Sequence, residues 1–249
     1  MAENDYDSVM KMFEEDLGKL NLVLNGKQKE QFMEYYKLLA EWNSFMNLTA
    51  ITDVEGVFQK HFVDSLSVVK AYDFSGGIGE EGLSLIDVGT GAGFPAIPIK
   101  IMFPGVKITL LDSLRKRMNF LDEVIGKLGL ENAETIHGRA EDFGRQEKFR
   151  ESYHLCVSRA VANLSTLSEY CIPFVKTGGK FISYKSEKLA EELSAAEKAV
   201  SLLGGKVTGQ VDFYLPRSDI YRNLLVIDKI KPTPKRYPRK AGTPAKEPL

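Results

Sequence analysis

The sequence predicts an α/β fold, with a doubly wound, mostly parallel sheet of about seven strands behind an N-terminal helical cap. Three observations carry this. An apolar run, Leu85-Ile86-Asp87-Val88, feeds a turn with glycine at alternate positions, Gly89-Thr90-Gly91-Ala92-Gly93-Phe94-Pro95. A second apolar run, Val106-Lys107-Ile108-Thr109-Leu110-Leu111, ends at Asp112. Beyond it, short strand-like runs alternate with helical patterns as far as residue 230, as βαβ units do.

Residues 8 to about 48 read as helices. Met12, Phe13, Leu17, Leu20 and Leu24 form one apolar stripe, and Phe32, Tyr35, Tyr36, Leu39 and Trp42 form another. Asn25-Gly26 breaks them apart. Asp53 starts a further helix through His61, Asp64 and Val69. A polar stretch, 75–82, reads as a surface loop. Strand one and the glycine turn follow, then strand two. Ser113 is placed to cap the next helix. Leu114, Met118, Leu121, Ile125 and Leu128 share one helical face, and Gly129 stops it.

Further strands are expected at 133–136, 153–157 and 178–184, with helices at 164–175 and 189–203. Strands at 207–215 and 223–230 are joined by too short a link for a crossover helix, so one of them runs antiparallel. This sheet, closed by an antiparallel hairpin, is the plan of class I S-adenosylmethionine (SAM) methyltransferases. The expected divisions are 1–74 for the helical cap, 83–230 for the cofactor-binding domain and 231–249 for a basic, Pro-rich extended tail.

The turn's chemistry points the same way. Glycine allows positive φ and lets a ligand press on bare backbone. The spacing is G-x-G-x-G, so Phe94 stands where a dinucleotide fingerprint needs its third glycine. The Gly-Lys-Ser/Thr of a phosphate-cradling loop is absent. Such a turn suits a nucleoside without phosphates, and SAM is the leading candidate. Asp112, about 20 residues beyond the glycines, stands where α/β nucleotide folds grip ribose hydroxyls.

Composition sets the class. The 249 residues are 43% hydrophobic and 27% charged, as in a soluble globular protein. The acidic, polar start is no signal peptide, and no run reaches membrane-spanning length. Cys156 and Cys171 are the only cysteines, too few for a disulfide framework or a zinc site, and read as small buried apolar residues. No metal is expected, and a cytoplasmic location is. The net charge is −1, but residues 229–249 hold seven Lys/Arg and one Glu, leaving 26 basic against 33 acidic elsewhere. A basic end on a near-neutral protein suggests local contact with a polyanion.

A family resemblance now becomes specific. It rests on Trp42-Asn43, Asn47-Leu48-Thr49-Ala50-Ile51, His61-Phe62-Val63-Asp64-Ser65-Leu66, the Asp87–Pro95 motif and Asp112-Ser113. Gly138-Arg139-Ala140-Glu141-Asp142, Ser158-Arg159-Ala160-Val161-Ala162 and Tyr237-Pro238-Arg239-Lys240-Ala241-Gly242-Thr243-Pro244 complete the set. Together, over nearly the whole chain, these resemble the bacterial 16S ribosomal RNA guanine-N7 methyltransferases (glucose-inhibited division protein B). The resemblance implies SAM contacts at Gly89, Phe94, Ala140, Glu141 and Arg159, to which the physical reading adds Asp87, Gly91, Gly93 and Asp112. It implies 16S rRNA or the small ribosomal subunit as partner and guanosine 527 of the 530 loop as target, and no obligate protein partner is evident from the sequence. Ala96 and Ser186 depart from glycines that the family usually carries.

Guanine N7 carries a free lone pair and no proton, so positioning matters more than a general base, and no catalytic acid or base is assigned. The sequence lacks the Asn/Asp-Pro-Pro-Tyr/Phe motif of amino-methylating enzymes and the Pro-Cys or Thr-Cys nucleophile of carbon-5 pyrimidine enzymes. Asp142 reads as a helix cap beside the contacts Ala140 and Glu141. Arg159 reads as a partner for the SAM carboxylate or for rRNA. His61 with Asp64, and Asn47 with Thr49, are open between site and structural roles. RNA-binding candidates are Arg139, Lys185, Arg217, Arg222, Lys235, Arg236, Arg239 and Lys240. In the tail, Tyr237 among the charges suggests stacking plus phosphate contact, and the tail is not expected to form the SAM pocket. The rival readings are a methyltransferase of a small molecule, a protein or another RNA, an NAD-dependent oxidoreductase, and a non-catalytic ribosome-assembly factor.

Overall fold

A computed structural model describes residues 3–74, 82–159, 162–186 and 189–249. Most of the expected surface loop at 75–82, and Ala160 and Val161 of the fourth-strand motif, lie outside the described residues. The helices α1 (Glu3–Gly18) and α2 (Gly26–Met46) come first. Asn25 caps α2 in a reciprocal capping box with Gln28, which explains the break at this point. Next comes a continuous helical run made of α3 (Val54–Val57), a π segment (Phe58–Val63), α4 (Asp64–Leu66) and a 3-10 turn (Ser67–Lys70).

Seven strands follow: β1 (Ser84–Val88), β2 (Lys107–Asp112), β3 (Ala133–His137), β4 (Tyr153–Arg159), β5 (Val175–Lys185), β6 (Gly205–Tyr214) and β7 (Tyr221–Lys229). Their order is β3-β2-β1-β4-β5-β7-β6. The first five are parallel, and β7 runs antiparallel to both β5 and β6. This is the expected class I plan. Between the strands lie α5 (Ala96–Met102), α6 (Arg115–Leu128), α7 (Ala140–Phe143), α8 (Leu164–Cys171) and α9 (Leu189–Leu202).

Strand alternation divides the core. Leu85, Leu155, Val157 and Ile182 point to one face of the sheet, where α1, α2, α5 and α6 pack. Ile86, Val88, Cys156 and Phe181 point to the other, under α8 and α9. The N-terminal helices thus share one core with the sheet, from Val9 to Val226.

Some local expectations change. The helix expected at 164–175 stops at Cys171 and tightens into a 3-10 turn (Ile172–Phe174), because Pro173 has no N–H to continue it. Val175 already belongs to β5. Gly129 closes α6 in the left-handed conformation, as expected. Ser113 does not cap that helix: Leu114 is the capping residue, without a side-chain bond, and Asp112 accepts from its N–H instead. Leu114 lies off the buried face, 52% exposed. Asp142 does not cap α7 either. It is exposed within the first turn, and Arg139 occupies the cap position.

The segment beyond β7 is not an extended tail. Tyr237 is buried, and a short helix α10 (Thr243–Lys246) follows. Arg150 donates to the carbonyls of Thr233 and Tyr237, and Thr166 to that of Pro244. These partners lie 78 to 87 residues away in sequence.

Candidate active site

The site is built at the C-terminal ends of β1, β2 and β4, where ligands of open α/β sheets bind. Beyond β1 the turn folds back on β2, with the N–H groups of Gly89 and Thr90 both donating to the Leu111 carbonyl. Gly89, Gly91 and Gly93 all have positive φ. Their reasons differ. A Cβ on Gly91 would meet nothing within 4 Å, because this turn faces a cavity. A Cβ on Gly93 would collide with Ile97, the Tyr35 hydroxyl and Leu121. Gly93 therefore serves helix packing, and Gly91 leaves room for a ligand.

Asp112 ties the turn to the next helix. Its Oδ2 accepts from the Gly91 N–H at 3.0 Å and from Arg117 at 3.0 Å, and its Oδ1 from the Leu114 N–H at 2.9 Å. A carboxylate accepts about four hydrogen bonds, so capacity for a hydroxyl remains. Asp112, Arg117, Arg139, Ala140, Glu141 and Tyr170 line a cavity of about 350 Å³ together with Gly89.

Asp87 faces inward. It is fully buried, its Oδ2 accepts from the Thr90 hydroxyl and the Ala96 N–H, and its Oδ1 has no partner among the described residues. Burial pushes its carboxyl up to about 7, against the Thr90 and Ala96 bonds that lower it. It holds the turn.

A second cavity of about 610 Å³ opens on the other side of the turn. Thr49, His61, Asp64, Gly91, Phe94, Arg159, Lys185 and Arg222 are in its wall. The π segment brings His61 here, and its ring stacks on Phe94 with centroids 4.5 Å apart. Arg159, at the end of β4, lies over the same ring at 5.2 Å and donates to Asp64 at 2.6 Å. Arg222 donates to the other Asp64 oxygen at 2.8 Å. Because Arg159 can only donate, His61 Nδ1 accepts from it at 3.2 Å, and Nε2–H donates to the Thr49 hydroxyl at 2.8 Å. Burial, then the Arg159 charge, lower the His61 pKa to about 3, so the ring is neutral. Both ring nitrogens are occupied and neither is a free base.

Gly89 and Arg117 line both cavities, so the two meet at the glycine turn. Neither cysteine reaches either cavity. Both are buried, and burial pushes the Cys156 thiol well up. Among the described residues no group of His, Cys, Asp and Glu could hold a metal ion. None of their helices is long and apolar enough to cross a membrane.

Comparisons with known proteins match this architecture. The family model described as GidB, rRNA small subunit methyltransferase G, matches residues 28–220. The chain belongs to the rRNA small subunit methyltransferase G family. It is 54% identical to the "Ribosomal RNA small subunit methyltransferase G" of Lachnoclostridium phytofermentans, over 95% of this chain and 96% of that one. It is 53% identical to the protein of the same name from Alkaliphilus metalliredigens, over 93% and 95%. Among solved structures, a mutant of MtNAS superposes with a TM-score of 0.51 at 16% identity, over 82% of this chain and 75% of that one, a likeness of fold alone. The chain is thus a 16S rRNA methyltransferase of this family.

Within this member of the methyltransferase G family, the basic candidates separate. Arg217 donates to buried Asp16 at the far end of α1. Arg239 grips fully buried Glu169 with N–H groups at 2.6 to 3.1 Å. That pairing gives Arg239 a structural anchor, contrary to its expectation as a free phosphate contact. Tyr237 is likewise buried, with Arg236 over its ring at 5.1 Å, so it is not open to stack a base. Lys235, Arg236 and Lys240 are exposed. Lys185 pairs with Glu192 at 2.6 Å and donates to the Ala162 carbonyl. The tail also touches the smaller cavity's wall, because the Gly242 N–H donates to Glu141 Oε1 at 2.8 Å.

Ala96 is buried at the start of α5 without strain, and Ser186 lines the larger cavity. Sequence reasoning did not single out Arg117, Tyr170 or Lys60. Arg117 carried a usable signal, since it stands one helical turn beyond Leu114, within reach of Asp112.

Proposed function

We propose that the chain transfers a methyl group from SAM to N7 of a guanine in 16S rRNA, guanosine 527 by family resemblance. The observation that carries this reading is the meeting of the two cavities at Gly89 and Arg117. The smaller is the nucleoside site. Asp112 takes the ribose hydroxyls, Ala140 and Glu141 flank the adenine, and Gly89 and Gly91 give the backbone room toward the junction. The open space at Gly91 fits such a ligand. SAM, when bound, supplies an activated methyl group.

The larger cavity is the guanine site. Phe94, stacked by His61, forms an apolar wall. Arg159 and Arg222 share the single carboxylate of Asp64, leaving net positive charge for the SAM carboxylate or an rRNA phosphate. His61 is neutral with both nitrogens engaged, so these residues bind and orient without moving a proton. Guanine N7 asks for no more.

Incubating the protein with labelled SAM and either protein-free 16S rRNA or isolated small subunits tests the reading. Label entering guanine at N7 is the expected result. Label on an exocyclic amine or a pyrimidine, or none on either substrate, contradicts it.

A further inference from the structure

A third cavity, of about 380 Å³, lies between the end of α2 and the start of α6. Met46, Leu48 and Leu114 give it an apolar floor, and Arg115, Lys116 and Arg117 give it a basic rim. Among the described residues, no acidic residue lines it. Leu114 sits at the N-cap of α6 with extended backbone, which turns it out of the helix's buried face. Arg115 and Lys116 are exposed and hold no ion pair or side-chain hydrogen bond among the described residues. Arg117, by contrast, is engaged with Asp112. An exposed leucine beside two unpaired cations gains nothing for the free chain. Leu48 and Arg117 also line the 610 Å³ cavity, so the groove is continuous with the guanine site.

We propose that this groove holds the unstacked nucleotide adjoining the methylated guanine in 16S rRNA. Its base lies on Leu114, Met46 and Leu48, and its phosphate meets Arg115 and Lys116. Single-stranded RNA is recognised by this pairing of an apolar platform for bases with cations along the backbone. Continuity through Leu48 and Arg117 makes it a neighbour of that guanine on the same strand, because one strand must pass from one cavity into the other. The inference rests on the proposed rRNA substrate.

The test uses the full-length protein with Arg115→Gln and Lys116→Gln together, and separately Leu114→Ser, all at exposed positions. SAM affinity, binding of protein-free 16S rRNA against salt, and methylation of rRNA and of small subunits are measured. The double variant is expected to weaken rRNA binding at low salt about tenfold or more. It should also flatten the salt slope by about 0.7, the value for one phosphate contact on a single strand. Leu114→Ser is expected to raise the KM for RNA several-fold at unchanged slope. SAM affinity should stay within twofold in both. Parent-like rRNA binding and KM in both variants would overturn the proposal. So would loss of methylation on small subunits with parent-like binding of protein-free rRNA, which would assign the groove to a ribosomal protein. A parent protein that methylates neither substrate would instead refute the proposed function itself, and with it the groove's occupant.

Discussion

Asp64 holds Arg159 at 2.6 Å from a position 95 residues earlier in the chain. The carboxylate is almost wholly buried and its second oxygen holds Arg222. One acid therefore aims two guanidinium groups at the larger cavity, and Phe94 supports Arg159 from below.

Replacing Asp64→Asn should leave two half-buried guanidinium groups facing a neutral amide. A broken buried ion pair costs about 3 kcal/mol or more, so the midpoint of thermal unfolding should fall. In the fraction that folds, kcat/KM for RNA should drop. Calorimetric unfolding with single-turnover methylation checks both, and a parent-like variant contradicts the role given to Asp64.

Gly91→Val should abolish SAM binding. Gly91 has φ +61° and lines the larger cavity two residues from Gly89, where the cavities meet, so a branched side chain strains the turn and intrudes on the junction that SAM must reach. The strain is about 1–2 kcal/mol, small enough for the fold to persist. Isothermal titration on the folded variant gives the answer. Unchanged affinity would put the cofactor elsewhere.

The tail should matter for cofactor binding. Glu169 is fully buried with Arg239 as its ion-pair partner, and Gly242 binds Glu141. Arg239→Ala should cost about 3 kcal/mol of stability and weaken SAM affinity by loosening Glu141. Neutralising exposed Lys235, Arg236 and Lys240 should leave SAM affinity alone. It should flatten the RNA salt slope by about 0.7 for each of the three that meets a phosphate. If Arg239→Ala behaves as a surface change, the anchoring role fails.

Asp87 predicts a pH effect on stability. Burial raises its pKa from 3.8 to about 7. The folded chain therefore keeps a proton that the unfolded chain releases above 3.8. This contribution is fully present below that pH and is lost as pH rises toward 7, up to about 4 kcal/mol. In Asp87→Asn that loss should vanish, so its unfolding midpoint should gain on the parent between pH 4 and 7. Parallel curves would contradict the raised pKa.

Cys156→Ser with Cys171→Ser should keep methyl transfer, because neither residue reaches a cavity. A folded double variant without activity, or a cysteine–RNA adduct, would point to covalent chemistry.

Much of this was legible in the residues because it depends on local rules. The glycine turn, Asp112, the alternating strands and the Gly129 stop follow from spacing and backbone preference. The hairpin of β6 and β7 followed from a link too short for a crossover. What escaped depends on distant partners. Nothing near Arg239 announces Glu169, 70 residues away, so the tail read as free. Ser113 looked like a cap because the chain's competing acceptor, Asp112, is one residue earlier and reaches Leu114 first. Gly91 and Gly93 looked alike in sequence, and only packing separates the one facing a cavity from the one under Tyr35.

The central claim is that the joined cavities deliver a guanine ring nitrogen to SAM. Nucleotide-resolution mapping of labelled methyl groups on small-subunit rRNA tests it most directly. The account predicts a single labelled guanine, at N7, whose labelling is lost in Gly91→Val. Label at any other atom, or labelling that survives in that variant, would contradict it.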